Sequence, residues 1–146
     1  MVDRDARKAA AEKVRYFVNG GITNFEFEDS QPSTRDEAVL AIYDTLWLFY
    51  DDFEKHKLVS GHAIPEKTKK DMARWLMFLY SDEEYEWPPI SYPGARPLEH
   101  GFLSKIFGGP DKESKFMRRG GYGFWPFISE EAYLQAKQNP SLLSSN

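Results

Sequence analysis

Apolar residues recur at helical spacing along most of this chain, and the recurrences predict its elements. Ala6, Ala10, Val14 and Phe17 are separated by charged residues, which predicts a helix over 3–18 with one buried stripe. Gly20-Gly21 ends it. Thr23-Asn24 is placed to cap a short turn carrying Phe25 and Phe27, and Gln31-Pro32 then breaks the chain. The strongest periodicity follows. Val39, Ile42, Leu46, Phe49 and Phe53 form one stripe, widened by Ala38, Tyr43 and Tyr50. It predicts a helix over 34–53, capped by Ser33 or by Thr34 with Glu37 at capping-box spacing.

A third helix is expected from Pro65 to about Tyr80, with Ile64, Thr68, Met72, Trp75, Leu76 and Leu79 facing inward. Its first half is basic and its last two turns are apolar all round, so it should run into the core. Residues 88–97 hold four prolines and one glycine, which excludes helix there. Ile90, Tyr92 and Leu98 suggest that this stretch wraps across the helices. Leu98–Phe107 reads as one more short helix. Residues 116–119 and 122–127 read as the arms of a small β-hairpin about Gly120-Gly121. A last helix is expected over 129–137. The expected fold is therefore mainly α: four to five helices, a Pro-rich wrapping segment and a small C-terminal hairpin. One domain over 1–146 is expected, with 1–4 and 139–146 frayed.

Composition removes several kinds of chemistry. The chain has no cysteine, so disulfides, thiol nucleophiles and thiolate metal sites are excluded. Aromatics make up 16% of 146 residues, enough ring area to build a core without metal or crosslinks. The net charge of −4 argues against broad binding to a phosphate backbone or an anionic membrane. No apolar run approaches membrane-spanning length. Met1–Lys8 is too charged for the apolar core of a signal peptide, which makes the cytoplasm the expected location.

Charge is unevenly distributed. Residues 21–56 hold nine carboxylates against Arg35 and Lys55, while 57–74 are net basic. On a helix over 34–53, Glu37, Asp44 and Asp51 share one edge. Leu40, Trp47 and Leu48 lie close beside it, where a surface helix does not normally carry tryptophan. Either a neighbour covers this face or it forms an apolar patch of the kind that marks an interface. Asp82-Glu83-Glu84-Tyr85-Glu86-Trp87 is a second acidic and aromatic segment. If extended, it turns Tyr85 and Trp87 one way and Glu84 and Glu86 the other.

Catalytic motifs are missing at the level of pattern. There is no phosphate loop, no GxSxG elbow and no HExxH pair. His56 and His62 with Asp51 or Asp52 are the nearest approach to a metal set, but their spacing matches no known ligand pattern; no metal and no cofactor are expected. The function expected is a non-enzymatic intracellular protein-binding or regulatory module that uses an acidic surface on a basic protein partner, for instance by neutralising a toxin. The partner-binding residues would be Leu40, Asp44, Trp47, Leu48, Asp51, Asp82, Glu84 and Glu86. Two alternatives remain. One is a small enzyme pairing a carboxylate with His56, His62 or His100. The other is a single-stranded nucleic-acid binder through Arg118, Arg119 and the nearby rings.

Overall fold

A computed structural model describes residues 1–88, 92–95 and 122–138. Among them the chain is mainly helical, with five α-helices and no strand: α1 Arg4–Val18, α2 Asn24–Glu28, α3 Glu37–Leu46, α4 Glu66–Leu79 and α5 Glu130–Gln138. Short 3-10 turns occupy Trp47–Phe49, Ser60–His62, Pro93–Ala95 and Tyr122–Phe124. The helix expected over 98–107, the first hairpin arm over 116–119 with its Gly120-Gly121 turn, and the tail beyond 138 lie outside the described residues. The second arm expected over 122–127 is instead a 3-10 turn followed by a further turn and a bend.

Three helices meet through a column of rings. Phe17 of α1 stacks on Phe27 of α2 at 4.4 Å, and Phe27 stacks on Tyr43 of α3 at 4.5 Å. Helix α1 packs along α4 and also touches α2 and α3. Val14, Ile42, Leu46, Met72, Trp75 and Leu79 fill the space between them. Helix α5 closes the far side of α4, where Ala136 packs with Phe78 and Phe127.

Local chemistry moves the helix ends from their expected places. Asp3 caps α1 by accepting the Ala6 N–H. Thr23 and Glu26 form the capping box that starts α2. Helix α3 begins at Glu37 rather than at 34, because the Asp36 carboxylate takes the Ala38 N–H; Thr34 instead donates to Asp3. The helix also stops at Leu46, well short of the expected Phe53. Tyr50 is extended, and the buried Asn24 side chain draws the chain back by donating to the carbonyls of Asp51 at 2.8 Å and Glu54 at 3.0 Å. Phe53, expected on the buried stripe, is 99% exposed as a result.

One buried ion pair organises this architecture. The Arg7 guanidinium donates to Asp36 through Nε at 2.6 Å and Nη2 at 3.2 Å. Nη1 donates to the carbonyls of Ser81 and Glu83, each at 2.9 Å. The same group lies 5.1 Å from the centre of the Phe78 ring. Asp36 also accepts the Asp3 N–H. Start of α1, start of α3 and end of α4 therefore converge on two side chains.

Of the Pro-rich stretch 88–97, residues 88 and 92–95 are described, and the Pro93–Ala95 turn lies on α3. A Cβ on Gly94 would come within 2.5 Å of the Trp75 ring, 2.8 Å of Thr45 and 2.9 Å of the Trp125 ring. Two of those neighbours are buried indoles that cannot step aside. Gly94→Ala should therefore cost about 1–3 kcal/mol, seen as a lower urea midpoint with an unchanged slope.

Candidate functional site

The exposed edge of α3 and of the 3-10 turn that follows it carries the residues that the pattern singled out. Glu37, Leu40, Asp44, Trp47 and Leu48 are all exposed, and they recur at spacings that share one side of a helix. Leu40 is 38%, Trp47 39% and Leu48 51% exposed. The opposite positions Val39, Ile42, Tyr43 and Leu46 are buried. The edge therefore alternates two carboxylates with three large apolar side chains. Among the described residues no cation lies within ion-pair distance of Glu37 or Asp44. Phe53, in the turn past the helix end, is exposed as well.

Asp51 departs from this edge. It sits in the turn after α3, where its Oδ1 accepts the N–H groups of Phe53 at 2.7 Å and Glu54 at 3.1 Å. Those two donors hold its carboxyl below the ordinary aspartate value. His56 and His62 lie close by, with rings stacked at 4.4 Å. With Asp51 they line an open depression of about 290 Å³. The arrangement is that of a joint. His56 Nδ1 is 3.0 Å from the Glu54 carbonyl and Nε2 is 3.1 Å from the Phe49 carbonyl, so both ring nitrogens face backbone carbonyls. Asn24 ties the same turn down by exchanging hydrogen bonds with the His56 backbone. Among the described residues no group of three histidine or carboxylate side chains is arranged to hold a metal ion.

Beside Trp47 a small notch opens between α2 and the end of α3, walled by Phe27, Tyr43, Trp47 and Tyr50. The Tyr50 ring meets Trp47 edge-on at 4.2 Å, and its hydroxyl donates to Glu28. That hydrogen bond to a carboxylate pushes the Tyr50 phenol up to about 12. Burial raises the Tyr43 and Tyr85 phenols as well. The fold thus prefers the neutral phenols. Their contribution is complete below the ordinary tyrosine value near pH 10 and is lost as pH rises through the native values. Stability should fall steeply above pH 10. Glu28→Gln should move the Tyr50 titration, followed by 13Cζ shifts, back toward the ordinary value.

Compared with family models, with curated proteins and with solved structures, the chain shows no significant match.

The acidic–aromatic segment divides as its alternation predicts. Asp82, Glu83, Glu84 and Glu86 are exposed, Tyr85 is half-buried and Trp87 is buried. The Trp87 Nε1 donates to the Phe127 carbonyl at 3.2 Å, and the Tyr85 hydroxyl accepts from Trp125 Nε1 at 3.0 Å. Two of its acids already have cations. Asp82 pairs with Arg4, and Glu84 with the Met1 amino group at 2.8 Å. Among the described residues Glu86 has no such partner.

The structure therefore groups Leu40, Asp44, Trp47 and Leu48, sets Asp51 in the adjoining turn, puts Asp82 and Glu84 beside the start of α1, and leaves Glu86 exposed farther along the same segment. His100, Arg118 and Arg119 lie outside the described residues. No helix among the described residues is long and apolar enough to cross a membrane. The pattern missed Arg7, Asn24 and Glu28. Arg7 had a readable signal, since it stands at helical spacing with Ala11, Val14 and Val18 in an otherwise apolar row. Asn24 and Glu28 act across sequence distances that no local spacing reveals.

Proposed function

We propose that this protein is a non-enzymatic intracellular module that docks a basic protein partner on the exposed edge of α3. The observation that carries this reading is the exposure of Leu40, Trp47 and Leu48 in one line with Glu37 and Asp44. Apolar area in the middle of a recognition surface supplies affinity, with tryptophan the most effective anchor. Unpaired carboxylates beside it favour a cationic partner and speed its approach. The nine carboxylates of residues 21–56, set against two cations, extend the same field. Asp51 acts in this reading by holding the turn that presents Phe53. Asp82 and Glu84 serve the fold more than the partner, since each already has a cation.

The reading is tested by capture from a native lysate at low salt with the full chain and with Trp47→Ala/Leu48→Ser. A partner held by the first and lost with the second, and released as salt rises, is the expected result. Recovery of the same proteins by both chains, or of none by either, would contradict it.

A further inference from the structure

We infer that the notch beside Trp47 is a subsite for a primary ammonium group, the head of a lysine side chain carried by the partner. The inference rests on the docking reading above and names the group recognised. Three features point to it. The first is the walls: Phe27, Tyr43, Leu46, Trp47 and Tyr50 line the opening; the faces of Phe27 are taken by Phe17 and Tyr43, so the ring surface open to a cation is that of Trp47 and Tyr50. The second is the carboxylate. Glu28 lines the notch together with Gln31. The Tyr50 hydroxyl donates to Glu28 Oε2, which orients the carboxylate and leaves Oε1 as an acceptor. Among the described residues no lysine or arginine pairs with Glu28. The third is size. The opening has room for about one water-sized group. An ammonium head is that size, whereas a planar guanidinium or a trimethylammonium group is larger.

Ring surface alone would accept any small apolar group. The acidic rim turns that preference toward charge: Glu28 and Asp29 stand on α2 and its cap. An ammonium in the notch would meet the rings with its C–H and N–H surface and donate to Glu28 and to the Gln31 amide oxygen. Its aliphatic stem would then cross Trp47 on the way out, covering part of the exposed indole.

The probe is n-butylammonium chloride, titrated into the full chain and read by the indole 1H–15N signals of its four tryptophans. The expected result is a saturable shift of the Trp47 signal, with those of the buried Trp75, Trp87 and Trp125 unmoved. Glu28→Gln should weaken that binding about fivefold while leaving the far-UV circular dichroism unchanged. An equal shift with n-butanol would overturn the inference, since the notch would then be only apolar. Equal or tighter binding of n-butylguanidinium would overturn it on size, and a shift that never saturates would overturn it outright. The two readings fail separately. Saturable butylammonium binding with no partner captured removes the docking reading alone. A partner captured through Trp47 with no saturable butylammonium shift removes the subsite alone.

Discussion

Arg7→Ala should unfold at a far lower urea concentration than the unaltered chain, at a cost of about 3–5 kcal/mol. The side chain is buried and its three donor nitrogens serve four hydrogen bonds. Its removal leaves the Asp36 carboxylate buried without its counter-charge, although the Asp3 and Ala38 N–H groups still reach it. The carbonyls of Ser81 and Glu83 lose a donor at the same time, and a buried acceptor without one is costly. The pair can be separated from its surroundings by a double-mutant cycle. Arg7→Met/Asp36→Asn should be less destabilised than the sum of the two single changes. The neutral pair strands no charge, and the amide oxygen that replaces the carboxylate still caps α3. Urea unfolding of all four chains measures this. Additive losses, or a change under about 1 kcal/mol on the scale of ordinary surface substitutions, would mean that the three element ends are held by something else.

Trp87→Ala should be comparably severe, at about 3–5 kcal/mol. Trp87 is buried in the main core cluster and bridges to the Phe127 carbonyl. Its truncation opens a large cavity and unties the segment after α4 from the C-terminal portion of the chain. The neighbouring exposed change Glu86→Gln should move stability by less than about 0.5 kcal/mol. The contrast separates an anchored segment from a recognition motif. If Glu86→Gln were as damaging as Trp87→Ala, the carboxylates rather than the rings would hold these residues in place.

The helices were legible because each carries its stripe locally. Ala10, Val14 and Phe17 in α1, and Met72, Trp75 and Leu79 in α4, were identified from spacing and are buried. The alternation of Tyr85 and Trp87 with Glu84 and Glu86 likewise gave the correct faces. What was not legible depends on partners distant in sequence. The row Phe49–Phe53 continues the apolar period of α3, yet the His56 ring meets the Phe49 carbonyl and Asn24 takes those of Asp51 and Glu54. Those bonds outweigh the period, end the helix and turn Phe53 outward. The same event moved Asp51 off the acidic edge. Ser33 and Thr34 were the expected caps, but Asp36, held by Arg7, takes the Ala38 N–H and starts α3 instead. The candidate face itself was legible in composition, as tryptophan and leucine beside acid, but only burial distinguishes an exposed edge from a covered one.

In the proposed reading the exposed edge of α3 and the turn after it receive a basic partner. Hydrogen–deuterium exchange of the chain alone and with its captured partner locates the contact surface. Exchange should slow over residues 40–54 and α2 when the partner is bound, and this protection should weaken as salt rises. Protection confined to α1, α4 or α5, with residues 40–54 unchanged, would contradict that reading.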